Sequence, residues 1–73
     1  MKVIQIGESL LNVNNISELE LDLVIEVDTL KYYITIQMSN GNVYRQPAPN
    51  GSSTNLIDFF KNKIVTIGED NEV

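Results

Sequence analysis

The chain has 73 residues, with ten Asp or Glu against five Lys or Arg and a formal net charge of −5 at pH 7. This length fits one small domain, which buries only about 60 % of the surface that its unfolded chain exposes. The chain has no cysteine for disulfides or thiolate sites, and no histidine, the commonest metal ligand and the usual proton carrier near neutral pH. The acidic balance argues against direct nucleic-acid binding and against attraction to an anionic membrane.

No apolar run approaches the length of a membrane span, and the first residues lack the apolar core of a secretory signal. We therefore expect a cytoplasmic protein with no membrane association and no cofactor. Asparagine and isoleucine are abundant and alanine is nearly absent. Such usage is typical of AT-rich genomes, including those of low-GC bacteria and their phages, and a phage protein would act in the host cytoplasm.

Two short strands are predicted first. Residues 3–6 are rich in β-branched side chains and end at Gly7, and residues 10–13 precede the turn-forming pair Asn14 and Asn15.

The strongest pattern in the chain is an alternation over residues 18–28. Its apolar members are Leu19, Leu21, Leu23, Ile25 and Val27. Its acidic members are Glu18, Glu20, Asp22, Glu26 and Asp28. Side chains alternate between the two sides of a strand, whereas a helix would scatter both sets around its axis. The pattern predicts a strand from about residue 19 to 27 with an apolar face and a row of carboxylates.

Residues 32–38 predict the strand that returns antiparallel to it. A loop over residues 28–31 would place Val27 opposite Tyr32 and Leu23 opposite Ile36. A slip of one residue would turn one strand's apolar set towards water, so the pattern favours this pairing. On the acidic face, the predicted neighbours of Glu20, Asp22 and Glu26 are Ser39, Gln37 and Tyr33, with Lys31 opposite Asp28.

The pair Asn40-Gly41 predicts the next turn, before a strand over residues 43–46. Both residue types tolerate the positive φ that a tight type I′ hairpin requires. This turn would place Ile36 opposite Arg45, and so Arg45 on the core side of the sheet.

Residues 47–53 contain two prolines and an Asn-Gly pair and predict a loop. Thr54 or Asn55 can cap a helix that runs to Lys63, with Asp58 in its first turn. The predicted apolar stripe of this helix is Ile57, Phe60 and Ile64, flanked by Leu56 and Phe59. Residues 64–69 resemble residues 3–8 and suggest similar strands at the two ends, paired with each other.

These elements predict an α+β fold, a small antiparallel β-meander of about four to six strands with one C-terminal helix packed on its apolar face. Residues 1–68 would form the single domain, and residues 69–73 an acidic, disordered tail.

The acidic face is the leading candidate site. Carboxylates two residues apart on a strand repel one another, and an apolar centre within a polar rim is typical of protein interfaces. The candidate partner-binding residues are Glu20, Asp22, Val24, Glu26, Tyr33, Gln37 and Tyr44. This surface predicts a non-catalytic protein-binding module that meets a basic surface on another protein. In its sharpest form it is a phage-type acidic inhibitor, an anti-defence protein that occupies a nucleic-acid- or nucleotide-binding groove. The alternative is a solvated face whose charges keep an edge strand from pairing with other molecules.

Two further functions stay open. Arg45 and Lys31 could bind an anion or nucleotide in a sequestering homo-oligomer. Extension of Arg45 to water at the sheet margin is the more ordinary alternative. A structural homo-oligomer would instead bury Val24, Tyr33 and Tyr44 between copies. An enzyme is not expected, because the chain has no phosphate-binding glycine loop, metal-ligand cluster or activated nucleophile.

The order of short strands, Asn-Gly hairpin and terminal helix, from Val13 onward through Tyr44, resembles small β-rich modules such as the LytTR DNA-binding output domains. The basic residues that such a module would place on DNA are missing here. We therefore transfer no function from the resemblance.

Overall fold

A computed structural model describes residues 1–68, so the tail predicted at residues 69–73 lies outside the described residues. The strands are β1 (Lys2–Ile6), β2 (Ser9–Asn12), β3 (Ile16–Glu26), β4 (Thr29–Met38), β5 (Val43–Pro47) and β6 (Ile64–Thr66), and the α-helix is α1 (Leu56–Lys63). Short 3-10 turns occupy Val13–Asn15 and Gly51–Ser53.

The strands form two antiparallel three-stranded sheets, in the orders β2-β1-β6 and β3-β4-β5. The predicted α+β class is thus confirmed. The terminal strands β1 and β6 do pair, but within a second sheet of their own and not as additions to the meander. The core joins both sheets and the helix, and its buried members are Ile4, Ile6, Leu11, Ile34, Ile36, Met38 and Phe59.

The helix begins where the sequence predicts. The Asn55 side chain accepts hydrogen bonds from the backbone N–H groups of Ile57 at 3.0 Å and Asp58 at 3.1 Å, satisfying two donors of the first turn. The predicted apolar stripe of the helix is wrong in its position around the axis. Phe59, predicted at its flank, is the buried residue, and Ile57 is exposed. The exposed side of the helix therefore carries an uncovered apolar side chain.

The pairing of β3 with β4 differs from the prediction by four residues. Leu23 lies opposite Tyr32, and Glu26 opposite Thr29. The connection is a two-residue turn in which Val27 adopts a φ of +44°. A β-branched residue is disfavoured there, so the sequence gives no sign of so tight a turn. Because the difference is an even number, the apolar and acidic sets still lie on the predicted opposite faces.

The pairing of β4 with β5 differs by one residue, which reverses the faces of β5. The turn is a three-residue loop and not a type I′ pair: Gly41 donates to the Met38 carbonyl at 2.9 Å and carries the loop's only positive φ. Tyr44 therefore lies opposite Ile36 and packs against the core. Arg45 lies opposite Thr35 on the outer, acidic face, and its predicted core-side position is wrong.

The β3–β4 hairpin extends beyond the rest of the fold. Strand β5 covers β4 only from Tyr33 to Gln37, so the sheet has two strands beyond that point. We call the two-stranded part, residues 23–32, the arm. The radius of gyration is 13.9 Å and the long axis is 53 Å. A compact chain of this length would have a radius of gyration near 11 Å, so the molecule is elongated.

The β5 register predicts opposite stabilities for two neighbouring substitutions. Tyr44→Ala should lower the free energy of unfolding by about 2–4 kcal/mol, because it removes an aromatic ring packed on the core. Arg45→Ala should change it by less than about 0.5 kcal/mol, because that side chain is exposed. Urea denaturation of both variants measures the difference. Equal losses, or a larger loss for Arg45→Ala, would contradict this register.

Candidate protein-binding site

The candidate site is the outer face of the β3-β4-β5 sheet. Cross-strand pairing places Glu18 opposite Gln37, Glu20 opposite Thr35, and Asp22 opposite Tyr33. The predicted neighbours of Glu20 and Asp22, which were Ser39 and Gln37, are wrong because of the four-residue difference in register. Strand β3 is an edge of its sheet, so the carboxylate row borders solvent along one side.

The arm end of the row is satisfied within the chain. The Glu26 carboxylate lies 3.4 Å from the Lys31 ammonium and accepts a hydrogen bond from the Tyr33 hydroxyl at 3.3 Å. The predicted pairing of Lys31 with Asp28 is therefore replaced by one with Glu26. Both charged groups are about half exposed, so this pair adds little stability.

The middle of the row is held by a hydroxyl. The Thr35 side chain donates a hydrogen bond to the Asp22 carboxylate. Thr35 is buried, although it lies on the outer face, while Asp22 is half-buried. This contact fixes Asp22 and leaves its negative charge uncancelled.

The other end of the row concentrates like charges. The pKa of Glu20 lies above its ordinary value of 4.5. The largest cause is a hydrogen bond with the Glu18 side chain, and the second is repulsion by the Glu18 charge. Some loss of hydration and the charge of Asp22 raise it further. Among the described residues, no salt bridge reaches Glu18, Glu20 or Asp22 within 4 Å. These three carboxylates form the open acidic cluster.

The remaining predicted residues are divided between faces. Val24 and Gln37 lie on the outer face as predicted, and Val24 is half-buried opposite Lys31. Tyr44 was predicted there and is instead on the core side. Arg45 shares the outer face with Lys31. Thr35, the residue opposite Arg45 on β4, lies four residues from Lys31, about 13 Å along the strand. The two cations are thus not brought together, and the Lys31 ammonium already contacts Glu26.

Sequence reasoning missed the role of Thr35 and underrated Glu18. The contact of Thr35 with Asp22 depends on the register of β3 with β4, which the sequence does not specify. Glu18 stood in the alternation from the start, so its membership of the cluster could have been found from the two-residue spacing alone.

Two cavities accompany the helix. A polar cleft of about 240 Å³ lies between the loop before α1 and the helix, and Asp58 is the one charged side chain among the described residues that line it. An apolar groove of about 300 Å³ is lined by Leu19, Leu56, Ile57, Phe60 and Lys61. Within residues 1–68, no group of three His, Cys, Asp or Glu side chains could hold a metal ion. Nor is α1 long enough to cross a membrane.

Comparison with protein-family models, curated proteins and solved structures found no match. The resemblance to LytTR output domains gains no support from them.

The Glu18–Glu20 contact predicts how stability depends on pH. The folded pKa of Glu20 lies above the unfolded value, so the folded state binds more protons between the two. The Glu20 charge therefore lowers stability at neutral pH, and this loss disappears as the pH falls through the folded pKa. Glu20→Gln should raise the melting temperature at neutral pH. The gain should vanish as the pH falls below the ordinary glutamate pKa of 4.5, and it should shrink in high salt.

Glu8→Gln is the control, because it removes the same charge from an exposed turn of the other sheet. Thermal melts of both variants across pH give the comparison. An equal gain for Glu8→Gln would show that net charge, and not the cluster, sets the effect.

Proposed function

We propose that this protein is a non-catalytic protein-binding module that presents its open acidic cluster to a basic surface of another protein. The observation that carries the proposal is the line of Glu18, Glu20 and Asp22 on the edge strand β3, where no salt bridge among the described residues reaches them. The raised pKa of Glu20 agrees with this crowding of like charges. Like charges are held together at a cost in the free protein, and their attraction to a cationic partner surface would offset that repulsion.

The arrangement around the cluster supports a protein partner. The half-buried Val24 and the ring of Tyr33 lie beside the carboxylates and supply apolar contact area. Strand backbone holds Glu18, Glu20 and Asp22 in a line at intervals of about 6.8 Å. A line of fixed anions suits a groove that normally holds phosphates, which favours an acidic inhibitor of a nucleic-acid- or nucleotide-binding protein, of the phage anti-defence type.

The cavities support a role without catalysis. General acid–base chemistry needs titratable groups that converge on a substrate in a cleft. Of the described residues that line each cavity, only Asp58 is charged in the polar cleft and only Lys61 in the apolar groove. The carboxylates of the row lie on an open sheet face, where they can contact a surface but cannot enclose a small molecule.

A charge reversal tests the proposal. Affinity capture from the source cell with mass spectrometry identifies the partner, and titration calorimetry then gives its dissociation constant. Glu20→Lys should weaken binding about 10-fold or more, because one attraction becomes a repulsion at the centre of the contact. Binding of the natural protein should also weaken as salt increases.

The matched control is Glu8→Lys, which makes the same change of charge on the other sheet. It should alter the dissociation constant by no more than about 2-fold, through the change of net charge alone. If both variants bind like the natural protein, or both weaken equally, the acidic cluster is not the binding surface.

A further inference from the structure

The apolar face of the arm is uncovered. Leu23 is 49 % exposed, Ile25 73 % and Leu30 63 %, although all three lie on the face that forms the core nearer the base of the hairpin. At the tip, Val27 is 96 % exposed and holds a positive φ that is unfavourable for its branched side chain. A monomer would leave this whole face in water, in a chain whose core is small for its length.

The same face of β3 leads to the apolar groove. Leu19 lines the groove from the strand side, and Ile57 and Phe60 line it from α1. Ile57 is 65 % exposed, so the groove is open on the side of the helix that faces away from the core. The protein thus carries a projecting apolar tip and an apolar groove on one continuous face.

The spacing of tip and groove is self-complementary. Leu19, at the groove, lies four residues before Leu23 on β3, and Val27, in the turn that follows the strand, lies four residues after it. At strand spacing each separation is about 13 Å. A two-fold axis through Leu23 would bring each tip onto the other subunit's groove, and Leu23 against its own copy. Closed dimers bury the same patch on both subunits in this way.

We propose that this face binds a second copy of the chain, forming a two-fold dimer in which each arm tip occupies the partner subunit's apolar groove. The two twisted ribbons would pack face to face, about 10 Å apart. The strip from groove to tip spans about 26 Å, half of the 53 Å long axis. A dimer interface of ordinary size, about 800 Å² per subunit, would cover roughly one sixth of the 4967 Å² surface.

Charge also favours a second copy as the occupant. Asp28 stands at the tip, and Lys61 borders the groove, so the dimer places Asp28 of each subunit beside Lys61 of the partner subunit. The residues near the axis, Leu23 and Tyr32, carry no charge, so no like charges of the two subunits meet there. Edge-to-edge pairing of β3 would instead oppose two carboxylate rows.

Sedimentation equilibrium over a range from micromolar to near-millimolar concentration tests the dimer. The natural protein should reach twice the monomer mass. Leu23→Glu should raise the dimer dissociation constant at least about 100-fold, because two carboxylates would be desolvated at the axis. Leu10→Glu is the matched control: Leu10 is 58 % exposed on β2, outside the face, and its change should leave the constant within about 3-fold.

A charge exchange provides a second test that does not place a charge in an apolar contact. Asp28→Lys and Lys61→Asp should each weaken the dimer, and the double variant should recover most of the natural affinity. Far-UV circular dichroism confirms that each variant is folded.

A natural protein that stays monomeric, an unchanged dimer in Leu23→Glu, or a double variant no tighter than the singles would overturn the proposal. Loss of binding to a captured protein by Leu23→Glu, with no dimer present, would assign the face to that partner instead. Glu20→Lys, on the opposite face, should leave dimerisation unchanged, so the two proposals fail separately.

Discussion

The structure depends on one constraint: the β3–β4 hairpin is longer than strand β5 and helix α1, the elements that could cover it. Strands of 11 and 10 residues are paired along almost their whole length, while β5 has five residues and α1 has eight. Strand geometry then forces alternate side chains onto opposite faces whether or not a neighbour is present. The base of the hairpin becomes core, and the arm becomes a two-sided ribbon in water.

The two faces of this hairpin differ in how they interact with other chains. The carboxylates on the edge strand oppose pairing with the edge of another chain, which is a hazard for a strand of this length. At Glu20 this row carries a cost, because the neighbouring Glu18 side chain raises the pKa of the Glu20 carboxyl. The apolar face has no such protection, and a subunit that covers it would add the burial that a small core lacks.

Much of the fold follows from the sequence, because each pattern was strong and local. The alternation over residues 18–28 defined both faces of β3, and Asn55 with Asp58 defined the start of α1. The registers did not follow, since they depend on loop lengths that side chains specify weakly. Val27 is not a residue type that predicts a two-residue turn, so the β3–β4 register did not follow from the sequence. One more loop residue before Gly41 than predicted exchanges the faces of Tyr44 and Arg45. Contacts that require register, such as that of Thr35 with Asp22, were therefore beyond sequence reasoning.

Backbone nuclear Overhauser effects across the hairpin measure this register most directly. The structure predicts cross-strand contacts that pair Leu23 with Tyr32 on one side of β4, and Thr35 with Arg45 on the other. Both proposed binding surfaces depend on these pairings, because they decide which side chains stand beside Glu20 and which lie along the arm. Contacts pairing Leu23 with Ile36, and Ile36 with Arg45, would contradict the structure and the two surfaces inferred from it.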